Sequence, residues 1–182
     1  MDELSLHIID IVQNSVSAGA KNIEVIIIDD DEKDIISFEV IDDGKGMDEE
    51  ILKKIEDPFF TSKNKKVGLG IPLLKQLAES TGGIFEINSK LDKGTRVKVT
   101  LPKSNLDVPP LGDLYSTILN LLYIQNINIK IVYIKNNLEK IIESSKIKNI
   151  LGNIPFTHPD VIMFLRNYIK EEFNLKEVNN ET

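Results

Sequence analysis

The sequence predicts an α/β protein of the α+β type: a two-layer sandwich in which helices cover one face of a mostly antiparallel, mixed sheet. Two observations lead to this prediction. Short β-branched runs occur in pairs separated by turns, which is typical of hairpins. Helical segments precede and separate these pairs and do not alternate with single strands, which disfavours a parallel nucleotide-binding sheet. The first hundred residues, in the order α-β-β-α-loop-α-β-β, are followed by a smaller α/β extension.

The first predicted helix runs from Leu4 to Gly19 and is largely buried, because apolar residues occur on most of its sides. Gly19 is expected to end it, since glycine readily adopts the left-handed conformation found after helices. The strands 23–28 and 35–41 follow, and the acidic turn between them indicates a hairpin.

The rest of the first hundred residues alternates loops, helices and strands. A loop at 42–47 is followed by a short helix that Asp48 caps and that ends at Ile55. A lysine-rich loop at 57–70 comes next, and then a helix from about Pro72 to Thr81, which Gly82 and Gly83 stop. The strands 84–89 and 95–101 complete this part of the chain.

A proline-containing stretch at 103–112 separates a first domain, residues 1–102, from an extension, residues 113–182. We interpret this stretch as a linker, because prolines disfavour helix in the residues before them. The predicted elements of the extension are a helix at 113–123, a strand at 127–134, a turn at Asn136–Asn137 with a return strand at 138–142, and a helix from about Pro159 to Phe173.

Composition excludes several classes of protein. The chain of 182 residues is 41% hydrophobic and 28% charged, as in soluble globular proteins, and has a net charge of −7. Such acidity disfavours binding to nucleic acid or anionic lipid. The absence of Cys excludes disulfides and thiolate sites, and only His7 and His158 are available for histidine chemistry. Without a targeting signal or a long apolar segment, we expect a cytoplasmic protein with no membrane span.

Two polar groups could bind a nucleotide. Asp10 and Asn14 are four residues apart and therefore share one helix face, where an amide oxygen suits Mg²⁺ and a carboxylate can accept a proton. Asp42 follows a strand and could accept a hydrogen bond from the amine of adenine, while Gly44 and Gly46 let backbone approach a ligand. Each group by itself fits an ordinary alternative, an amphipathic helix or an Asp/Gly turn.

Two further groups could contact phosphates or the base. Backbone N–H groups at 68–70, with the start of the next helix, form an anion site, and the lysines of 63–66 add positive charge. The alternative for such a lysine run is solvated surface. Thr95 follows Gly94 in what is otherwise a simple turn, and its hydroxyl could contact a ligand.

Taken in order, these motifs resemble those of the GHKL superfamily of ATP-binding domains, which includes gyrase-type topoisomerases, a heat-shock chaperone, histidine kinases and mismatch-repair ATPases. DIVQNSVSAGAKNIEV is similar to the N box, VIDDGKGM to the G1 box and DPFFTSK to the kinase F box. KKVGLGIPLLKQLAESTGG resembles the G2 box with its helix, and KGTRVKVTLP the G3 box. The resemblance covers roughly residues 4–102 and implies a Bergerat fold that binds Mg²⁺ and ATP.

The resemblance also implies roles for individual residues. Asp42 would read the adenine amine, supported by Thr95 directly or through water, and Asn14 would ligand Mg²⁺. Asp10 stands where hydrolytic members carry the Glu that activates water. The residues implied to bind ATP are Asn14, Ser17, Asp42, Gly44, Gly46, Met47, Lys63, Lys66, Val67, Gly68, Leu69, Gly70 and Thr95, of which Lys63 and Lys66 would lie in the ATP lid.

Three positions depart from the family pattern. Asp10 is one methylene shorter than Glu, which puts its reach to a water in question. Ser17 replaces the Asp of the chaperone-like branch and the Lys of the kinase branch. Lys66 stands where the glycine-rich G2 pattern places its first Gly.

The resemblance leaves three functions open: an ATPase or ATP-driven switch with Asp10 as general base, a protein kinase acting in trans, and a non-catalytic nucleotide-gated module. In each case residues 103–182 are the expected surface for a regulatory partner or a homodimer. Because the N box begins near residue 4, we expect no phosphoacceptor domain upstream. His7 is expected to be a packed or capping residue, or else to lie near the phosphates, and His158 to begin a turn or helix.

Overall fold

The computed structural model describes residues 3–55 and 70–173. Within these ranges the chain forms six helices and six strands. The helices are α1 (Leu4–Ser17), α2 (Glu49–Ile55), α3 (Gly70–Thr81), α4 (Leu114–Leu122), α5 (Ser144–Leu151) and α6 (Pro159–Glu172). The strands are β1 (Asn22–Asp30), β2 (Ile35–Asp42), β3 (Ile84–Lys90), β4 (Gly94–Pro102), β5 (Asn128–Lys135) and β6 (Leu138–Glu143).

The strands form one open sheet in the order β3-β4-β2-β1-β5-β6. Every neighbouring pair is antiparallel except β1 and β5, which are parallel. The predicted mixed, mostly antiparallel sheet is therefore confirmed, as is the hairpin of β1 and β2. The extension contributes β5 and β6 to this same sheet, so its strands continue the sheet of the first hundred residues.

One face of the sheet packs against helices. Alternate residues of β1, such as Val25 and Ile27, are fully buried, and Phe38 of β2 and Val99 of β4 lie beside them. Burying one such side chain stabilises the fold by roughly 1.5–3 kcal/mol. The opposite face carries cross-strand ion pairs. Two of them are Glu39–Arg96 and Glu24–Lys130.

The element predictions are largely confirmed, and helix ends follow the expected caps. Asp48 accepts the backbone N–H of Ile51 at 2.8 Å at the start of α2, and Gly19 has a φ of +79° after α1. Asn136 and Asn137, both with positive φ, form the predicted turn between β5 and β6. Helix α5 was not predicted.

The stretch predicted to be a linker contacts the first helix. The backbone N–H groups of Leu4 and Ser5 donate to the carbonyls of Pro110 and Leu111 at 3.0 Å each. The first N–H groups of a helix have no partner inside it. Residues of this stretch therefore cap α1.

Candidate functional site

Asp42 is the last residue of β2 and is 9% exposed. Its Oδ1 accepts the backbone N–H of Gly44 at 2.8 Å and that of Thr95 at 3.2 Å. Its Oδ2 accepts the hydroxyl of Ser15, on α1, at 2.6 Å. A carboxylate has about four acceptor positions. These three donors fix its orientation and leave about one position, on Oδ2, for a further donor.

The loop after Asp42 lies against the β3–β4 turn. Gly46 has a φ of +61°, and a Cβ added there would lie 2.0 Å from the carbonyl oxygen of Lys90. Gly94 has a φ of +88°, and its added Cβ would lie 1.8 Å from the carbonyl oxygen of Asp42. Both positions need glycine, because a side chain would be strained and would collide with backbone.

Thr95 lies directly opposite Asp42 in the β2–β4 pair, and Ser89 lies opposite Thr95 in the β3–β4 pair. The hydroxyls of Ser89 and Thr95 are 2.9 Å apart, and Ser89 Oγ also accepts the N–H of Met47 at 2.9 Å. Ser89 and Thr95 line an open cavity of about 330 Å³ together with Asp42 and Leu52. The basic residues Lys90, Lys93 and Arg96 also line it.

Asp10 and Asn14 lie half-buried on one face of α1. The Oδ2 atom of Asp10 is buried without a hydrogen-bond partner among the described residues. A Cβ added to Gly70, the first residue of α3, would lie 1.7 Å from this oxygen. Only glycine fits there while the carboxylate keeps its place. Burial raises the pKa of Asp10 above its ordinary value.

The structure thus brings Asp42, Gly44, Gly46, Met47 and Thr95 together at one end of the sheet. Asp10 lies against Gly70 where α1 and α3 adjoin, and Asn14 follows one turn later on the same face of α1. Ser17 is exposed in the last turn of α1. The remaining predicted residues lie outside the described part of the chain: Lys63, Lys66, Val67, Gly68 and Leu69.

Sequence reasoning missed two serines of this site. Ser15 lies among the apolar residues of α1, where it is a buried polar residue that donates to Asp42. A serine among buried apolar positions signals a hidden hydrogen bond, because buried hydroxyls almost always have a partner. Ser89 is the last residue of a predicted strand, and its neighbours in the sequence give no comparable indication of a hydrogen bond.

The two histidines have structural roles, one packed in a helix and one at a helix start. His7 is 3% exposed in α1, and burial lowers its pKa to about 4. It is therefore the predicted packed histidine. His158 precedes α6, where its Nδ1 accepts the N–H of Asp160 at 3.3 Å. This confirms the predicted helix start.

Known proteins resemble this chain mainly over its first part. The model of the family described as histidine kinase-, DNA gyrase B-, and HSP90-like ATPase matches residues 2–105. Sporulation kinase A of Bacillus subtilis is 30% identical over 104 residues, which cover 56% of this chain and 17% of that protein. Sensor kinase CckA of Brucella abortus is 40% identical over 74 residues, 40% of this chain and 8% of that protein. The chain thus spans less than a fifth of either relative.

A solved structure extends the likeness in fold. The MutL ATPase domain of Aquifex aeolicus, complexed with ADP, superposes with a TM-score of 0.51 and 16% identity, over 97% of this chain and 70% of that one. The shared fold therefore includes most of the extension. Among the residues that the structure describes, no helix has the length and apolar character needed to cross a membrane.

Proposed function

The chain belongs to the family of histidine kinase-, DNA gyrase B- and HSP90-like ATPases, and from this premise we propose that it binds Mg²⁺-ATP at the Asp42 end of the sheet. The observation that carries the proposal is the carboxylate of Asp42, which three donors hold and which keeps about one acceptor position free. The amine of adenine suits that position, whereas the carbonyl oxygen of guanine would be repelled. Thr95 supports the base directly or through water, and Gly44, Gly46 and Met47 line the base and sugar.

The phosphate subsite is proposed where α1 and α3 meet. Backbone N–H groups at the start of α3, from Gly70, favour phosphate oxygens together with the helix dipole. Gly68 and Leu69 would add N–H groups, and Lys63 and Lys66, in the ATP lid, would add positive charge. Val67 and Ser17 are retained as further contacts.

Asn14 is the proposed protein ligand of Mg²⁺, because its amide oxygen shares a face of α1 with the unpartnered carboxylate of Asp10. The described residues hold no group of three or more His, Cys, Asp or Glu placed for a metal. When bound, Mg²⁺ neutralises charge on the phosphates.

We propose that the output is ATP hydrolysis, or an ATP-driven switch, that regulates a partner. Asp10 is the proposed general base, because its Oδ2 has no competing hydrogen bond among the described residues. Its raised pKa lies closer to neutral pH than that of an ordinary Asp, which favours proton transfer.

A protein kinase acting in trans is the second candidate, favoured by the identity with two kinases. Asp10 would then orient or deprotonate the acceptor hydroxyl of a partner. Residues 103–182 are the proposed surface for that partner or for a second copy of the chain. We place the protein in the cytoplasm, where ATP is available.

ATP labelled at the γ-phosphate tests the output on the wild type, Asp10→Asn and the control Asp160→Asn, which alters an exposed residue of α6. We expect the wild type and the control to release labelled phosphate, and Asp10→Asn to release it roughly 100-fold more slowly. Label on a co-purified protein instead would establish the kinase. Tight ATP binding with neither result would leave a nucleotide-gated module, and no ATP binding by the wild type would refute the proposal.

A further inference from the structure

Five aliphatic side chains adjoin one another on the face of the sheet opposite to the helices. In register, Ile26 of β1 lies beside Val132 of β5, and Val132 lies beside Ile141 of β6. Ile28 and Ile134 form a second row, two residues further along β1 and β5. Alternate residues of a strand share a face. We call this group the β1–β5–β6 patch, and it consists of Ile26, Ile28, Val132, Ile134 and Ile141.

The patch is separate from the hydrophobic core. Val132 is 6% exposed, but among the described residues it is not part of the core cluster that includes its neighbour in the strand, Ile131. That cluster also contains Ile8 of α1 and Ile118 of α4, so the helices lie on its side of the sheet. The other four side chains of the patch are half-buried or exposed, up to 42% for Ile141.

The two strands that carry most of the patch have the composition of strands covered on both faces. β1 has the sequence NIEVIIIDD and β5 the sequence NIKIVYIK, so apolar residues occur at successive positions. Parallel pairs are generally buried on both faces and have such nearly continuous apolar runs. The same row continues into β2 and β4 as polar residues, since Glu39 lies beside Ile26 and Lys98 beside Glu39. The β1–β5 pair, unlike the rest of the sheet, therefore has the composition of a surface that a further layer covers.

The size of the patch indicates that one helix is the covering element. Its two rows are about 7 Å apart along the strands, and its three strands span roughly 10 Å. A helix with its side chains is about 10 Å wide, which matches this breadth. A stable interface between two copies buries on the order of 800 Å² of each. Five side chains, of which Ile141 alone is exposed, are too few to supply that area.

The charges around the patch indicate what the polar edges of that helix carry. Most charged residues that border the patch in register are acidic, and these are Glu24, Glu39, Glu139 and Glu143. Lys130 is the bordering cation in β5, and it pairs with Glu24 at 2.7 Å. A second copy stacked on this face would bring the same carboxylates near one another, which is unfavourable. Lysine or arginine side chains beside the apolar stripe of a helix would instead complement them.

We propose that the β1–β5–β6 patch is the docking surface for an amphipathic helix of a partner protein, whose apolar stripe covers the patch and whose Lys or Arg side chains lie beside the bordering glutamates. The inference rests on the proposed regulation of a partner, for which it names a surface and a chemical class. It narrows the share of residues 103–182 in that surface to β5 and β6, and it adds two residues of β1.

A model peptide tests this surface. The probe is a peptide of about 18 residues, composed of Leu and Lys, in which the leucines recur at helical spacing and form one stripe. One control peptide has the same composition in an order without a stripe, and a second has Glu in place of Lys. We expect fluorescence anisotropy to show that the wild-type protein binds the probe about tenfold or more tightly than either control peptide.

Paired substitutions locate the binding site. Ile134→Thr/Ile141→Thr should weaken binding of the probe about tenfold, because threonine keeps the β-branched shape and removes apolar surface. Ile141→Thr alone, in the edge strand β6, should weaken it about threefold and replaces the pair if the pair does not fold. The matched control is Ile150→Thr/Ile154→Thr, which changes isoleucines of the extension that are 84% and 50% exposed and lie outside the patch. The control should bind the probe as the wild type does.

Three results would overturn the docking surface. Equal binding of the probe and of the reordered Lys peptide would show attraction by charge alone, and equal loss of binding in both variant pairs would place the peptide elsewhere. A wild type that sediments as a dimer, and as a monomer in Ile134→Thr/Ile141→Thr, would assign the patch to a second copy.

Calorimetric titration of the same samples with ATP distinguishes this inference from the proposed nucleotide function. Both variant pairs should bind ATP as the wild type does. Stripe-dependent binding of the probe without any binding of ATP would refute the nucleotide function and leave the docking surface in place. Binding of ATP with no preference for the probe would refute the docking surface alone.

Discussion

At the scale of single residues, Asp42 is the most constrained part of the site. Its carboxylate receives two backbone N–H groups and one hydroxyl. In Asp42→Asn, one of these acceptor atoms becomes an NH₂ group that faces another donor. We expect ATP affinity to fall by about 10–100-fold, because a lost charge-assisted hydrogen bond costs about 1.5–3 kcal/mol.

Calorimetric titration with ATP checks this prediction, with Asp43→Asn as the control. The Asp43 carboxylate accepts the backbone N–H groups of Lys21 and Asn22 at 2.7 and 2.9 Å, and these bonds hold its pKa below the usual range. The control should lose stability and retain its affinity for ATP. Equal ATP affinity in Asp42→Asn and the wild type would contradict the assignment of the adenine contact.

The sequence predicted these acceptors better than it predicted the residues that support them. Asp10, Asn14 and Asp42 lie in local patterns, a helix face and a strand end followed by glycines. Ser15 and Ser89 support the site through hydrogen-bond partners that lie 27 and 6 residues away in the chain. Such contacts depend on how α1 and the β3–β4 hairpin pack, and no local spacing contains that information.

At the scale of elements, prediction succeeded where apolar periodicity was strong and failed where it was weak. Helix α1 and the hairpin strands have long apolar faces, and their bounds were close to those observed. Helix α5 has the sequence SSKIKNIL and buries only Ser144, so its pattern is too polar to stand out. The parallel contact of β1 with β5 joins distant parts of the chain, and alternation within a strand does not specify its neighbour.

Helix α1 also makes the stability of the fold depend on pH. Because burial lowers the pKa of His7 from 6.5 to about 4, the unfolded chain binds a proton in this range and the folded chain does not. His7 therefore contributes stability that is present above pH 6.5 and is lost as the pH falls towards 4. The raised pKa of Asp10 acts in the opposite direction at the acid end of this range.

Urea unfolding of the wild type and His7→Gln at several pH values between 7 and 4 measures this contribution. We expect the free energy of unfolding of the wild type to fall more steeply, by on the order of 2 kcal/mol over the range. His158→Gln, which changes an exposed helix cap, should follow the wild type. Parallel curves for the wild type and His7→Gln would show that His7 does not cause the dependence.

At the scale of the whole molecule, the extension and the 103–112 stretch before it contact the first hundred residues at two places. At one of them, Lys135 of β5 and Lys103 form ion pairs with Asp29 and Asp31. At the other contact, the carbonyls of Pro110 and Leu111 cap α1, the helix that carries Asp10 and Asn14. We therefore expect a change in the segment that holds Pro110 and Leu111 to reach the proposed nucleotide site through the start of α1.

Gly112 allows this connection to be tested without altering the site. It has a φ of +82°, and an added Cβ would lie 2.2 Å from Glu3 Oε2, which also accepts the N–H of Asp113 at 3.4 Å. Gly112→Ala should lower the free energy of unfolding by roughly 1–3 kcal/mol through backbone strain. Because the displaced segment caps α1, we also expect ATP affinity to fall roughly fivefold or more.

Gly152→Ala separates the two effects. Gly152 has a φ of +59°, and an added Cβ there has no atom within 4 Å. In this variant, backbone strain should also lower the free energy of unfolding, but in the extension. The segment that caps α1 is not displaced, so the ATP affinity should stay unchanged. Wild-type affinity in Gly112→Ala, with the expected loss of stability, would show that the extension supports the fold without influencing the nucleotide site. Weaker binding in that variant alone would establish the start of α1 as the path between them.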